Sequence, residues 1–542
     1  MKIIKNINKF GLIVIFFIII SASLVNAVIR LRGETELIGV VKYTPKPIIQ
    51  KSTIYNGEYQ QEFEKWYNEN FSLRGDVIKT YSQIIYSVFN KSPNDLVIKG
   101  KNDILFEKSY VYEYLGITPP VTDEYLNNLI DDLNRIQEIC TESDKEFYIL
   151  VTPNKVDFYS DAIPNKYVKM STLNKEDRNY NRFIKLLKNN NIKYFDSYEY
   201  LMREKDNLIT PLFSKTGVHW NYVTGANVVK EFINYINSTS DLNLKTIDIA
   251  NIAESDKPLH SEDADIYSTM NVIRGNMDKY YSPGVKVIGD NTNKTPNIFM
   301  QGGSFTWQIL EYIYGTKVAN EIDFMFYRRF INNCKYQEVN EVSVETEESL
   351  KSALDQHLKN KQMIILEVNQ QYIHDMGAGF PKILREYLDK SGFPEYEYLS
   401  ELDPSSTPED LSTYVNGLFT REKDEIGYFH WITDEAVIDL KNDDISRYGL
   451  NFKVNIPKKL LSKQDNNSMC IYINNVLAEE ISLDEAGIKE FTIDKGKIPN
   501  AKEGIYNIHL KVNSRFNLGE LTNGQDNRDV AYKIYYLGSK AN

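Results

Sequence analysis

The segment Asn297-Ile298-Phe299-Met300-Gln301-Gly302-Gly303-Ser304-Phe305 constrains this chain more than any other. An apolar run of strand-forming residues stops at two glycines and a serine, and residues 306–314 then open with helical periodicity. Such a turn presents a nucleophile. Glycine lets the backbone bend sharply and approach a ligand closely, and the unpaired N–H groups that open the following helix point at whatever sits beside Ser304. Those donors suit a developing oxyanion, which makes Gly303 a candidate oxyanion residue. A serine hydroxyl needs a base, and histidine is the side chain tuned for that role. Of six histidines, His219 alone lies in a tight-turn context, Lys215-Thr216-Gly217-Val218-His219-Trp220-Asn221, with Asn221 as N-cap of a helical run over 223–236. Strand, Gly-Gly-Ser, helix is also a common structural turn, so the local pattern alone leaves both readings open.

Around these blocks the periodicity alternates. Residues 124–145 read as helix, 146–152 as a buried strand, 175–189 as helix, 193–196 as a short strand and 361–369 as another strand ending in Glu367 and Asn369. This alternation predicts an α/β fold with a parallel sheet covered on both faces, with ligands bound where strands end. Upstream, 33–56 reads as extended, 59–90 as a packing helix pair and 97–106 as a hairpin. Residues 240–295 show little periodicity and much Asp, Asn, Ser and Lys, the texture of an irregular insertion, placed to roof a cleft. His260, Asp263 and Asp265 within it match no ligand spacing, so no metal site is assigned. Tyr327 and Arg328, with Arg329, form a second candidate contact region for an anionic or sugar group, against the bland reading of ordinary surface arginines.

Residues 216–221 and 301–305 resemble the two signature blocks of the SGNH-hydrolase-like O-acetyltransferases of exopolysaccharide pathways, the AlgX/AlgJ alginate acetyltransferase family. The family carries an Asp-x-His-Trp block before a Gly-Asp-Ser-Phe block, and this chain keeps that order with His219-Trp220 and then Ser304-Phe305. The resemblance extends to 65–74, 97–106, 150–159 and 364–369, and so covers roughly 50–400. It implies an SGNH-like three-layer α/β/α domain over 33–400, with Ser304 as nucleophile and His219 as base. It also places Asn154 and Lys155 beside the active site, as contacts to acceptor or oxyanion. No metal or diffusible cofactor is implied. The implied partners are a polysaccharide acceptor and a membrane-bound O-acyltransferase that delivers acetyl groups. Two positions depart from the pattern. Gly217 stands where the family has its orienting aspartate, and Gly303 stands directly before Ser304. A histidine without its acid loses the group that fixes its tautomer. A backbone carbonyl or another acid, with Asp206 and Asp290 nearest in sequence, must orient His219, or the protein is a degenerate enzyme that binds polysaccharide without modifying it. An acetyl esterase uses the same machinery.

Residues 1–10 carry Lys2, Lys5 and Lys9 with no acid, and 11–29 run nearly free of polar residues. This predicts an export signal over 1–32, read as an uncleaved single-pass anchor that holds the body at the outer face of the cytoplasmic membrane, with cleavage near Ala27 as the alternative. A formal charge of −12 argues against duplex nucleic acid as a partner. Cys140, Cys334 and Cys470 read as single buried thiols. The breaker cluster 403–408 marks a linker over 401–424, and short alternating runs over 425–542 predict a β-sandwich similar to the carbohydrate-binding-like domain of some family members. Its candidate sugar contacts are Trp431, Tyr428, Arg515 and Arg528, although Trp431 on the first strand equally suits a core.

Overall fold

The structure is a computed structural model that describes residues 2–539 apart from 40–43, 172–173, 276–277, 291–292, 336–337, 395–397, 408–410, 412–414, 464–466, 502–503 and 523–524. Pro408 of the breaker cluster therefore lies outside the described residues, as does the side chain of Cys334. Cys140 is buried and Cys470 half-buried, both as free thiols.

The chain opens with a 28-residue helix, Lys2–Ile29. Among the described residues no helix is long and apolar enough to cross a membrane. The end of this first helix is fastened to the body, because the Asn26 amide donates to the Arg32 carbonyl and to Ser72 Oγ at 2.8 Å. Helices Glu58–Asn70 and Arg74–Ser87 form within the span the spacing predicts, but the first buries no residue, so they do not make the packed pair expected. β1 (Val97–Lys99) and β2 (Leu105–Glu107) then make the short antiparallel hairpin around Gly100.

The central sheet has seven strands in the order β10-β9-β8-β7-β11-β3-β4. Its members are β3 (Glu146–Thr152), β4 (Tyr194–Asp196), β7 (Asn297–Gly302), β8 (Glu321–Phe326), β9 (Phe330–Lys335), β10 (Glu338–Ser343) and β11 (Met363–Asn369). The strands from β8 to β4 are parallel, and β9 and β10 close one edge antiparallel. Period-two alternation divides each inner strand between two cores. Phe147, Ile149 and Val151 face one core, with Ile364, Leu366 and Val368, against helices Asp123–Glu142, Glu347–His357 and Phe380–Ser391. Tyr148 and Leu150 face the other, with Ile298, Met300 and Ile365, against helices Tyr222–Thr239 and Thr306–Gly315. Because both faces are covered, the strands read as continuous apolar runs rather than alternating ones. The expected three-layer α/β/α arrangement is what forms, with a mixed rather than wholly parallel sheet.

Residues 240–295 depart from expectation. They hold a long antiparallel hairpin, β5 (Thr246–Ser255) and β6 (Tyr280–Ile288), which packs on helix Tyr222–Thr239. An irregularity between Ile249 and Asn251 and the polar composition hide its alternation.

The C-terminal part is one antiparallel sheet folded on itself, in the order β17-β16-β19-β14-β22-β15-β18. These are β14 (Tyr428–Lys441), β15 (Leu450–Ile456), β16 (Ser468–Ile473), β17 (Val476–Ser482), β18 (Gly487–Ile493), β19 (Ile505–Val512) and β22 (Tyr532–Ser539), with the short β20 (Phe516–Asn517) and β21 (Asp529–Val530) beside them. The expected two-sheet sandwich is replaced by a near-barrel, because the long β14 changes partner along its length. His430–Ile432 pair with β22, and Glu435–Lys441 pair with β19. The segment expected to be a linker adds strands instead: β12 (Val415–Leu418) and β13 (Glu422–Lys423) both pair with β14, and Leu402 bridges Leu537.

Candidate active site

β7 ends at the point the sequence predicts. Gly302 and Gly303 are required by close approach rather than by a left-handed backbone. A Cβ on Gly302 would meet Thr306 Oγ1 and the Glu367 side chain, and a Cβ on Gly303 would meet the Tyr327 ring at 2.7–3.0 Å. The next residue, Ser304, faces His219, whose Nε2 lies 2.7 Å from Ser304 Oγ. His219 is buried in a turn held by the Phe213–Trp220 bridge and by Asn221, which caps helix Tyr222–Thr239 by accepting from Thr224 N at 2.8 Å. The imidazole packs on Phe305, ring centroids 4.7 Å apart.

The orienting acid is Asp265, neither of the two acids nearest in sequence. Its Oδ2 lies 2.7 Å from His219 Nδ1, and its Oδ1 accepts the N–H groups of Val218 at 2.9 Å and Ile266 at 2.6 Å. A carboxylate only accepts, so Nδ1 carries the proton and Nε2 is left to accept from Ser304. The insertion therefore supplies the carboxylate that Gly217 cannot, and the glycine is what lets it arrive. A Cβ at Gly217 would run into the Glu262 carbonyl and come within 3.0 Å of that of Asp263. Ser214 Oγ and Thr216 Oγ1 both donate to the Asp263 carbonyl, at 2.6 and 2.8 Å, and Tyr267 N donates to Thr216 O at 3.0 Å. Segment 262–267 is thus laced onto segment 214–218 along its length.

Beneath the turn lies Glu367 at the end of β11, fully enclosed. Its Oε2 accepts Gly303 N at 2.7 Å and Thr306 Oγ1 at 3.3 Å, and Oε1 pairs with Thr152 Oγ1. Burial pushes this carboxyl above the usual glutamate range, only partly opposed by those donors. The Gly303 N–H expected to hold an oxyanion is therefore already engaged. Ser304 N points at the Tyr327 hydroxyl, 3.4 Å away. Tyr327 and Arg328 both take left-handed backbone conformations in the turn between β8 and β9, with φ of 46° and 56°. Arg328 donates to the Ala378 carbonyl at 3.1 Å.

Asn154 and Lys155 are brought close in the chain fold but not to an open surface, so the expectation that they touch acceptor gives way to a scaffolding role. Asn154 caps the next turn by accepting from Val156 N at 2.8 Å and donates to Tyr110 O at 3.3 Å. The Lys155 ammonium donates to the carbonyls of Leu105, Lys215 and Gly217 at 2.9, 3.1 and 2.7 Å, tying β2 to the strip that carries His219. Burial pulls its pKa down to about 7, while Asp265 and Asp278 act in the opposite direction.

The candidate sugar contacts are scattered. Trp431 is 6% exposed and belongs to the core, packed on Phe429 and Phe516. Arg528 is held by Asp526 and Glu422 at 2.6 and 2.7 Å, and Arg515 lies 3.5 Å from Asp434. Tyr428 is exposed, flanked by Arg421 and Lys423 about 5 Å from its ring. Among the described residues no group of histidines, cysteines and acids is arranged to hold a metal ion.

No protein-family model matches the chain, and no curated protein does. Solved structures give remote likenesses. The O-acetyltransferase domain of Pseudomonas putida AlgJ is 12% identical over 54% of this chain and 98% of its own, with a TM-score of 0.34. Pseudomonas aeruginosa AlgX is 10% identical over 82% of this chain and 95% of its own, with a TM-score of 0.34. Bacillus cereus PatB1 is 12% identical over 52% and 97%, with a TM-score of 0.30.

Proposed function

We propose that the chain is an O-acetyltransferase that passes an acetyl group through Ser304 to a hydroxyl of an exported polysaccharide. The observation that carries this reading is the unbroken line Asp265–His219–Ser304, with both links at 2.7 Å. Ser304 Oγ attacks the acetyl carbonyl of the donor while its proton moves to His219 Nε2, and Asp265 stabilises the imidazolium through Nδ1–H. The tetrahedral oxygen is met by the Tyr327 hydroxyl, which accepts from Ser304 N–H at 3.4 Å and keeps its own proton to donate, since Glu367 has taken the Gly303 N–H. Nε2 returns the proton to the leaving group. The acceptor hydroxyl then attacks the acetyl-serine, gives its proton to Nε2, and Ser304 is regenerated as the ester leaves on the sugar.

The order of the sequence blocks supports transfer to a glycan. The resemblance those blocks carry also supports a membrane-bound O-acyltransferase as acetyl source, and the basic residues Lys2, Lys5 and Lys9 before the apolar run 11–29 support placement at the outer face of the cytoplasmic membrane. Hydrolysis of the same acetyl-serine would make the protein an esterase. The test is incubation with 4-nitrophenyl acetate, with and without an oligosaccharide acceptor, beside Ser304→Ala and His219→Ala. Acetylated sugar that both variants abolish is the expected result. Free acetate alone reassigns the protein as an esterase, and no difference from the variants leaves a polysaccharide-binding or assembly role.

A further inference from the structure

Beside Ser304 stands a wall of side chains that the line Asp265–His219–Ser304 does not use. Tyr327, whose hydroxyl lies 3.4 Å from Ser304 N, meets the Tyr372 ring edge-on at 5.9 Å, and Tyr372 meets Tyr110 edge-on at 6.2 Å. Tyr110 belongs to helix Lys108–Tyr114, which follows β2 directly, and Glu107 is the residue at the junction. One apolar cluster joins this wall to the relay. It contains Leu105 and Phe106 of β2, Tyr110, Val218 beside His219 and Ile266 beside Asp265, with Tyr372 packed on it. β2 also packs on helix Asp265–Thr269. Glu107 therefore stands between the three tyrosines on one side and Asp265 with His219 on the other, and its charge is felt by all five.

The polar groups of this wall are only partly spent. Tyr110 is 4% exposed, yet its hydroxyl makes no hydrogen bond with the described residues and is not sealed from solvent. A phenol set so deep with an accessible, unpaired hydroxyl is aimed into space that a ligand can enter. The hydroxyl of half-buried Tyr372 also has no partner among the described residues. Glu107 accepts from Ser109 Oγ at 3.0 Å through Oε1, and its Oε2 has no partner among the described residues. Burial pushes its carboxyl above the usual glutamate range; Ser109 and His219 oppose the shift and Asp265 adds to it. The cations of the adjoining elements are engaged elsewhere. Lys155 is enclosed and spent on three carbonyls, Arg328 donates to the Ala378 carbonyl, and Lys108 lies over the Tyr112 ring at 5.4 Å. Lys215 lines a separate cleft beside helix Arg74–Ser87. His374, stacked on Tyr372, has its Nδ1 on the Gln371 carbonyl at 2.8 Å.

An occupant of this space meets a carboxylate and two phenols. A carboxylate on the occupant is repelled, an ammonium is drawn in, and hydroxyls can donate to Glu107 or accept from the phenols. We infer that Glu107 is the specificity-determining residue for the acceptor. With Tyr110 and Tyr372 it holds the sugar unit whose hydroxyl attacks the acetyl-serine, preferring an amino sugar, taking a neutral one next and rejecting a uronate; the inference rests on the acetyl-transfer reading of the same site. The experiment is calorimetric titration of the full chain, near neutral pH and without acetyl donor, with the glucosamine tetramer, cellotetraose and tetragalacturonate. The glucosamine tetramer should bind about tenfold tighter than cellotetraose and tetragalacturonate most weakly, with the differences shrinking as salt is added. Glu107→Gln should remove the advantage of the glucosamine tetramer and bring tetragalacturonate close to cellotetraose. Tyr110→Phe should weaken all three several-fold at an unchanged melting temperature, since that hydroxyl has no partner to lose. Tetragalacturonate binding as tightly as the glucosamine tetramer, no binding of any of the three, or an order of affinities that Glu107→Gln leaves unmoved overturns the inference. The expected order in a protein that shows no Ser304-dependent release of nitrophenolate removes the proposed reaction and leaves the saccharide site assigned.

Discussion

Replacing Asp265 with asparagine tests the central geometry with little disturbance of the fold. Asparagine keeps an oxygen where Asp265 Oδ1 accepts from Val218 N and Ile266 N, so segment 262–267 should stay docked. The other end changes sign. An amide NH₂ facing Nδ1 favours the tautomer with the proton on Nε2, which then points a donor at Ser304 instead of an acceptor. In the serine-protease template this change costs about 10⁴ in turnover. The Asp265 side chain here is 28% exposed, so its electrostatic part is partly screened by water. The expected loss is therefore about 10³, or about 4 kcal/mol of barrier. The assay is the stopped-flow burst of nitrophenolate from 4-nitrophenyl acetate, with thermal melting to confirm folding. A folded Asp265→Asn protein whose burst stays within tenfold of the parent would refute the relay. The partner experiment is Gly217→Asp, which puts a carboxylate two positions before His219. Its Cβ collides with the Glu262 carbonyl, so it should displace the acid-bearing segment, lower the melting temperature and abolish the burst.

Further outcomes follow from the buried groups. Lys155→Met leaves three carbonyls without their donor and should destabilise the fold by about 3 kcal/mol or more in denaturant titration. The folded pKa of Lys155 lies below that of an unfolded lysine, so its contribution to stability grows as pH rises above about 7 and is lost as pH falls through that value. Lys155→Met should flatten that part of the stability profile. Glu367 is shifted upward by burial, so its contribution is present below the ordinary glutamate range and is lost as pH rises through its folded value. Melting of Glu367→Gln against the parent should show the variant gaining relative stability toward alkaline pH, and that gain vanishing in acid. Trp431→Ala should cost about 3–5 kcal/mol as a core truncation, whereas Tyr428→Ala should leave melting nearly unchanged.

Strands β3, β4, β7 and β11 were legible as apolar runs flanked by turn residues, and β7 with its two glycines placed Ser304 at a strand end, whereas β8 was read as a contact region and the polar β9 and β10 (FINNCK, EVNEVS) were not read as strands at all. His219 was legible through the N-cap after it. Asp265 was not, because nothing in its spacing marks it: it reaches His219 through a segment whose docking depends on Ser214, Thr216 and the missing side chain of Gly217. The available signal was the glycine itself, which announces a close backbone approach. Lys155 was misjudged for a related reason. A lysine after a strand normally reaches solvent, and only the convergence of three carbonyls from β2 and the His219 strip explains why this one turns inward. In the C-terminal sheet the strands were visible but not their joining, since a partner change within β14 leaves no mark on its alternation.

The proposed base, acid and nucleophile sit at 219, 265 and 304, and the strand that ends at Ser304 is wedged between β8 and β11. A chain synthesised from its N-terminus has all three side chains in hand well before residue 369, yet no sheet to hold them together. Under the proposed function, chemistry at Ser304 is a late event of assembly, and a turnover signal doubles as a sensor of completed folding that no fragment ending before β11 should give.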